Sequence, residues 1–289
     1  MTVTDLIYTA ADKFEDAGLY FGHGTIDAVD EAAWLMSRVL NVEPDKLAEL
    51  ADQELTPEQQ ETFEHIAEAR ITSRKPLAYL INEAWFCGLK FYVDNRVIVP
   101  RSLIGEFILE EFQPWLGERQ PQRILDLCTG SGCIAIALAV QFPQATVDAV
   151  ELSPDAIEVA RINVERHALK DRVQVIQSDL FNALKDQRYD LIVSNPPYVH
   201  PQSMSQLPAE YSHEPEIALV AGDDGLAIVD RILKEASNYL TDDGLLVVEV
   251  GESAPAVMEK YAALPLVWLE HEYGEDSVFL IENKDLKRL

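Results

Sequence analysis

The sequence has few cysteines and no long apolar run. Its three cysteines, Cys87, Cys128 and Cys133, fit neither a disulfide framework nor a zinc site in number or spacing. We interpret them as small buried hydrophobic residues. No apolar run approaches the roughly 18 residues of a membrane span, and the first residues are acidic where a secretory signal would be basic and then apolar. These absences predict a cytoplasmic protein.

Basic residues are also scarce. Lys and Arg number 23 against 50 Asp and Glu, which gives a formal net charge of −27. Nucleic-acid binding draws its affinity from basic side chains that neutralise phosphates, so we expect no direct nucleic-acid binding. A strongly basic protein would instead be attracted to this chain. The alternative is that the acidity serves solubility or reflects a salty habitat.

Two regions of the chain differ in hydrophobic periodicity. Residues 1–82 show apolar side chains at helical spacing, with a helix start at Thr56-Pro57, and predict three or four helices. Residues 84–100 alternate like two short strands, with Asp94-Asn95 as the turn between them. The N-terminal helices are expected to recognise a substrate, or else to pack as a cap on the next domain. The predicted division is a helical domain over 1–82, a β-hairpin linker over 83–102 and a larger domain over 103–289.

Strands and helices alternate in the larger domain. This alternation is typical of an α/β, doubly wound, mostly parallel Rossmann-like sheet. A helix is predicted over 225–240, followed by a turn at Asp243-Gly244. The last two strands have no long helix between them, which predicts an antiparallel pair at a sheet edge. The seven predicted strands cover 123–127, 145–151, 173–177, 191–194, 245–250, 264–269 and 277–281.

A glycine-rich segment follows the first strand of this domain, where an open sheet binds a nucleotide-like ligand. Its glycines allow the backbone to approach a ligand closely. Glu151 ends the second strand, where a carboxylate can accept both ribose hydroxyls. This pattern fits an NAD enzyme and an S-adenosylmethionine enzyme equally well. The candidate cofactor-binding residues are Asp126, Thr129, Gly130, Ser131, Gly132 and Glu151.

Asp179 and Leu180 follow the third strand. In a sheet of this type Asp179 would face the adenine end of the pocket, and Leu180 would lie against the base. The alternative for Asp179 is a helix cap.

The fourth strand ends in Asn195-Pro196-Pro197-Tyr198, at the mouth of the same crevice. A planar amide nitrogen is a poor nucleophile, and its two N–H groups need acceptors. The Asn195 side-chain oxygen and the Pro196 carbonyl can supply them. The prolines stiffen the loop, and Tyr198 offers an aromatic face to the planar group. The alternative is a Pro-Pro turn that merely caps the strand.

Together, the glycine-rich loop and this motif favour an S-adenosylmethionine-dependent methyltransferase, with Asn195 placed between cofactor and methyl acceptor. A dehydrogenase has no use for an amide clamp and would need a proton donor such as a His or a Tyr–Lys pair. No metal is expected, because the histidines show no metal-ligand spacing. They are His23, His65, His167, His200, His213 and His271.

The combination resembles the protein-glutamine N(5)-methyltransferase family. The likeness covers most of the chain and includes Val99-Pro100-Arg101-Ser102, the 126–132 loop, NPPYV, the 213–219 segment and the 221–225 segment. It implies transfer of a methyl group to a glutamine side-chain amide, with S-adenosylhomocysteine as the product. By this resemblance the 129–132 loop, Glu151 and Leu180 contact the cofactor, and residues 195–198 bind the glutamine.

Within the family, residues 20–25, 82–88 and 101–106 resemble the branch that acts on the third protein of the large ribosomal subunit. The resemblance therefore implies a basic ribosomal protein as the substrate. Two residues depart from the pattern, because Cys128 stands where the family often has Gly and Leu103 replaces a proline. The alternatives are a release-factor glutamine methyltransferase, a nucleic-acid amino-methyltransferase, and a non-catalytic module that binds S-adenosylmethionine or a nucleotide.

Overall fold

The computed structural model describes residues 1–222, 225–270 and 277–289. Asp223 and Asp224 of the family-like 221–225 segment lie outside the described residues, and so does His271. No helix in the described part is long and apolar enough to cross a membrane.

Helices make up the N-terminal region, as the periodicity predicts. Each of the first three begins at a residue whose side chain accepts a hydrogen bond from the first turn, namely Thr2, Asp27 and Thr56. Thr56 forms a reciprocal capping box with Gln59, and proline follows at the first helical position, where its missing N–H costs nothing. The helices are α1 (Val3–Asp16), α2 (Ala28–Leu40), α3 (Pro57–Ser73) and α4 (Leu77–Ile81), with a short 3-10 helix at Pro44–Leu50.

A two-stranded hairpin of β1 (Ala84–Phe86) and β2 (Leu89–Phe91) follows these helices. The prediction of a turn at Asp94-Asn95 between the strands was wrong, because the turn lies at Cys87-Gly88. Both turn residues have positive φ (49° and 71°), as a two-residue hairpin loop that matches strand twist requires. Asp94 follows β2, and its carboxylate accepts a hydrogen bond from the Arg96 N–H (3.0 Å).

Seven strands of the described chain form the main sheet, in the order β5-β4-β3-β6-β7-β9-β8. The first five of these are parallel, and β9 runs antiparallel to both β7 and β8. This arrangement confirms the doubly wound Rossmann-like fold and the predicted antiparallel edge. The elements are α5 (Ile104–Leu109), β3 (Arg123–Leu127), α6 (Cys133–Gln141), β4 (Thr146–Glu151), α7 (Pro154–Arg166), β5 (Val173–Gln177), β6 (Tyr189–Ser194), α8 (Ala227–Glu235), β7 (Leu240–Glu249), α9 (Ala254–Lys260), β8 (Val267–Trp268), β9 (Val278–Glu282) and α10 (Asn283–Leu286).

The predicted helix over 225–240 and turn at Asp243-Gly244 need correction. Helix α8 ends at Glu235, a short 3-10 helix follows at Ala236–Asn238, and β7 already begins at Leu240. The pairing of β7 with β6 is irregular, because Tyr189 pairs with Leu240 whereas Leu191, two residues on, pairs with Leu245, five residues on. A Cβ atom on Gly244 would lie 3.0 Å from the Tyr189 carbonyl oxygen. The glycine therefore permits close backbone approach within a bulged strand instead of marking a turn before it.

A buried arginine joins the N-terminal helices to the segment that follows β6. Arg70 on α3 is fully buried. Its guanidinium donates to Glu31 (2.7 Å), to the Tyr20 carbonyl (2.9 Å) and to Glu210 (3.4 Å). Arg74 lies 3.0 Å from the same Glu210 oxygen. Because Glu210 belongs to the larger domain, these contacts fix the helices against the end of the sheet that carries the strand carboxyl termini.

A buried carboxyl group ties down the loop after β3. Asp126 is fully buried, and its Oδ2 accepts hydrogen bonds from the Thr129 hydroxyl and the Ala135 N–H. Within the described residues, its Oδ1 has no hydrogen-bond partner. Burial raises the pKa of Asp126 from 3.8 to about 7, because a carboxylate loses its hydration inside the protein.

We predict that Arg70→Met destabilises the protein by about 3–5 kcal/mol, because it leaves the buried Glu31 carboxylate without its partner. Urea unfolding measures the loss. Arg38→Met is the matched control, since Arg38 is 48% exposed and 3.8 Å from Glu83. Its replacement should cost less than about 1 kcal/mol. Equal losses for the two variants would contradict the role given to Arg70.

Asp126 also predicts a pH dependence of stability. The folded protein holds the Asp126 proton more tightly than the unfolded chain does. The contribution of protonated Asp126 to the free energy of unfolding is therefore present in acid and is lost as the pH rises through about 7. From about pH 5 to about pH 7, the free energy of unfolding of the wild type should fall by more than about 1 kcal/mol relative to that of Asp126→Asn. Urea unfolding of both proteins across this range measures the difference. Parallel pH profiles would refute the prediction.

Candidate active site

A cavity of about 190 Å³ opens at the carboxyl ends of the central strands. The order of the sheet reverses between β3 and β6, and open α/β sheets bind ligands at such a switch point. Five of the predicted cofactor-binding residues line the cavity, namely Gly130, Glu151, Asp179, Leu180 and Asn195. The hairpin linker and the chain after residue 198 complete the wall with Arg96, Val97, Ile98, Ile217, Ala218 and Val220, which the sequence analysis did not identify.

The Glu151 carboxylate is held firmly at the end of β4. Its Oε2 accepts a hydrogen bond from the Gly130 N–H (2.9 Å). Its Oε1 accepts from the backbone N–H groups of Leu152 and Ser153, each at 2.9 Å. The carboxylate therefore has a fixed direction at the cavity wall and keeps lone pairs for the hydroxyl groups of a bound ribose.

The glycine-rich loop turns sharply through three left-handed residues. Cys128, Gly130 and Gly132 have φ values of 60°, 54° and 82°. A Cβ atom on Gly130 would meet no atom within 4 Å, whereas one on Gly132 would lie 3.4 Å from the Cβ of Ala160 on α7. Gly130 thus opens space for a ligand, and Gly132 allows α6 to pack closely on α7. Cys128 adopts a backbone conformation that favours glycine. Glycine is often the residue at this position in the protein-glutamine N(5)-methyltransferase family that the sequence resembles.

The other predicted loop residues lie behind this turn. Asp126, Thr129 and Ser131 are buried, and they are not among the residues that line the cavity, nor is Gly132. The Thr129 N–H donates to the Val150 carbonyl (3.0 Å), and the Ser131 carbonyl accepts from Asn163 (2.9 Å). The structure therefore gives them a supporting position, and direct contact with a ligand stays a prediction.

Asp179 follows β5 and lines the end of the cavity that is farthest from Asn195, which follows β6. It forms an ion pair with Arg231 at 2.8 Å. The alternative that it caps a helix is wrong, because its side chain makes no capping hydrogen bond in the described structure. Ser178 accepts from the Ala183 N–H instead (2.9 Å). The neighbouring Leu180 is buried, has a positive φ of 49° and lines the cavity, where its side chain adds apolar surface.

A second cavity of about 220 Å³ adjoins the first. All four residues of the Asn195-Pro196-Pro197-Tyr198 motif line it, and Asn195 and Pro197 line both cavities. Within the described residues, neither the Asn195 amide group nor the Pro196 carbonyl takes part in a hydrogen bond. Asn195 thus lies where the two cavities meet, and Pro196 lies beside it in the wall of the second cavity.

Tyr198 is anchored through its hydroxyl group and by the close approach of Gly251 to its ring. Its hydroxyl donates to Glu249 (3.3 Å), and burial, with the nearby Glu249 charge, raises the pKa of Tyr198. Gly251 packs under the ring, since a Cβ there would lie 2.4 Å from a ring carbon. Glu249 in turn accepts from the Ser102 hydroxyl (2.6 Å) and the Leu103 N–H (3.0 Å). A proline at position 103 could not donate this last bond.

Arg101 lines the second cavity and forms an ion pair with Glu214 behind it. Arg101 donates to both carboxylate oxygens of Glu214, at 2.6 and 2.7 Å, and its guanidinium lies 5.3 Å from the ring centre of Tyr211. Burial favours the neutral acid, but the Arg101 charge, the hydrogen bonds from Arg101 and the nearby His23 imidazole outweigh it and lower the pKa of Glu214 to about 2. Both partners belong to family-like segments of the sequence, but their pairing was not predicted.

Comparison with known proteins agrees with this architecture. A PrmC N-terminal domain matches residues 10–81, and a methyltransferase small domain matches residues 106–210. Among solved structures, the hMettl16 catalytic domain in complex with MAT2A 3'UTR hairpin 1 has a TM-score of 0.54 at 19% identity, covering 86% of this chain and 89% of that one. A likeness at this identity establishes the shared fold alone.

Relatives of much higher identity are known over nearly the full length. The ribosomal protein uL3 glutamine methyltransferase of Burkholderia pseudomallei is 46% identical over 293 residues, which cover 99% of this chain and 95% of that protein. The enzyme of the same name from Neisseria gonorrhoeae is 45% identical over 286 residues, with the same two coverages. The chain therefore belongs to the ribosomal protein uL3 glutamine methyltransferase family.

Proposed function

We propose that the protein transfers a methyl group from S-adenosylmethionine to the side-chain amide nitrogen of a glutamine in ribosomal protein uL3. The names of its relatives support this activity. The observation that carries the chemistry is the position of Asn195, whose amide makes no hydrogen bond to any described residue and which lines two adjoining cavities. One cavity suits a methyl donor and the other a methyl acceptor.

The residues of the first cavity fit S-adenosylmethionine. Glu151 offers fixed acceptors for the ribose hydroxyls, the open space at Gly130 admits the ligand next to the backbone, and Leu180 adds an apolar surface for the base. When bound, this cofactor supplies an electrophilic methyl group on a sulfonium centre. Asp126, Thr129, Ser131 and Gly132 support this arrangement from behind the loop, and Asp179 lies toward the adenine end with Arg231 as its partner.

The residues of the second cavity fit a glutamine side chain. Asn195 Oδ1 and the Pro196 carbonyl accept the two amide N–H groups, and Tyr198 packs against the planar amide. This geometry orients the nitrogen toward the first cavity, and orientation lowers the barrier of a bimolecular step. The nitrogen becomes acidic as it gains the methyl group, so its proton leaves without a strong general base.

The charge of the protein supports a ribosomal protein as the partner. A net charge of −27 attracts a strongly basic protein and repels a phosphate backbone. We assign substrate recognition to the helical domain at 1–82, a connecting role to the hairpin linker at 83–102 and catalysis to 103–289. Methylation of a ribosomal protein fits a cytoplasmic location.

Purified protein is expected to transfer labelled methyl from S-adenosylmethionine to uL3, because both cavities and the surface charge suit this reaction. Mass spectrometry of the product should show one methyl group on one glutamine. Peptide chain release factors serve as the competing acceptors in parallel reactions. Efficient transfer to release factors without transfer to uL3 would overturn the proposed substrate.

Asn195→Ala should retain cofactor binding but lose turnover by on the order of 100-fold or more, because one of the two amide acceptors is removed. Isothermal titration gives the dissociation constant of the cofactor, and the labelled-methyl assay gives kcat. Asn238→Ala, at an exposed position in the 3-10 helix before β7, is the matched control and should behave like the wild type. Undiminished kcat in Asn195→Ala would exclude the clamp role of Asn195.

A further inference from the structure

Residues 20–25 of the N-terminal region reach the wall of the second cavity, although they lie far in sequence from the residues that line it. The His23 ring lies 4.6 Å from the Tyr211 ring, and the Tyr20 ring lies 5.7 Å from it. Tyr211 itself lines the cavity, as does Arg101. The 20–25 segment therefore packs directly behind the side chains that face a bound acceptor.

His23 is a buried polar residue at the centre of this contact. It is 1% exposed, and within the described residues neither ring nitrogen makes a hydrogen bond of good geometry. Its Nε2 lies 3.5 Å from an oxygen of Glu214, the carboxylate that holds Arg101 through two hydrogen bonds. An apolar side chain would bury at lower cost in this position, so a packing role alone does not account for the imidazole.

The backbone of the segment is held in one position. The Tyr20 N–H donates to Glu210 (3.1 Å), and its carbonyl accepts from the buried Arg70 (2.9 Å). A Cβ atom on Gly22 would lie 2.3 Å from the Tyr20 hydroxyl oxygen, so the tyrosine ring folds back over the glycine. The conformation of the segment thus fixes where the Tyr20 and His23 rings meet Tyr211.

From these contacts we infer that the 20–25 segment is a specificity-determining element of the methyl-acceptor site, with His23 as a positioning residue. It acts by setting the Arg101 guanidinium and the Tyr211 ring along the second cavity. The guanidinium presents hydrogen-bond donors to carbonyl oxygens of the peptide that flanks the target glutamine, and the Tyr211 ring presents an aromatic face beside it. The inference rests on the proposed function, because it names how that function selects its protein acceptor.

The test compares two variants of His23 in the full-length protein. His23→Phe keeps a ring against Tyr211 but removes the nitrogen next to Glu214, and it should raise KM for uL3 by on the order of tenfold with a smaller change in kcat. The dissociation constant of S-adenosylmethionine should stay at the wild-type value. His23→Gln places an amide N–H near the Nε2 position and should restore KM to near the wild-type value, which a purely structural role would not predict.

Gly22→Ala provides a second variant, because the atoms nearest to the added methyl group belong to Tyr20, whose ring must shift from its position near His23 and Tyr211. It should raise KM for uL3 in the same direction. Phe63→Leu, in the buried core of α3, is the control, since it lowers stability within the same helical region without touching the cavity wall. Its KM should equal that of the wild type.

The outcomes separate this inference from the proposed function. Wild-type transfer to uL3 with unchanged KM in His23→Phe and Gly22→Ala would overturn the inference and leave the function intact. Transfer by the wild type to release factors alone would overturn the proposed substrate. The same variants would then be measured on that acceptor, where a raised KM supports the inference and an unchanged KM overturns it.

Discussion

The buried ion pair between Arg101 and Glu214 joins the parts of the chain that enclose the acceptor cavity. Arg101 comes from the hairpin linker, Glu214 from the segment after β6, and His23 from the N-terminal region. The Val99 N–H also donates to Glu214 (2.9 Å), so one carboxylate receives bonds from both backbone and side chain. A buried carboxylate is stable only when it is so fully paired, and this requirement holds the cavity wall in place.

Two of the few basic residues lie in the interior of the protein. Arg70 is fully buried, and the Arg101 side chain is only 23% exposed. Both use their charge to neutralise internal carboxylates instead of facing the solvent. Each of these arginines is paired with at least one buried carboxylate, so the pairs leave the net charge of −27 unchanged. The two arginines therefore organise the interior, and the long-range attraction of a basic protein comes from the excess of acidic residues in the rest of the chain.

Local signals allowed much of the fold to be predicted from the sequence. Thr56-Pro57 begins α3, and strand β3 covers residues 123–127 as expected, because helix caps and short apolar runs are signals that span only a few residues. The turn at Cys87-Gly88 was missed, since a cysteine with positive φ carries no turn signal. The pairs Arg101–Glu214 and Arg70–Glu210 were missed for another reason. Their partners are 113 and 140 positions apart, and no periodicity links positions so distant.

The acceptor oxygens of Asn195 and Pro196 form no hydrogen bond in the part of the chain that the structure describes, and their direction depends on anchors on either side of them. Before the motif, the Ser194 hydroxyl donates to the Leu127 carbonyl (2.9 Å), which binds the end of β6 to the end of β3. After it, Tyr198 is held by Glu249 and by the close approach of Gly251. An acceptor that bonds to no protein group cannot hold its own direction, so its neighbours must hold it. The rigid flanks keep these oxygens oriented before a substrate arrives, which lowers the ordering cost of binding.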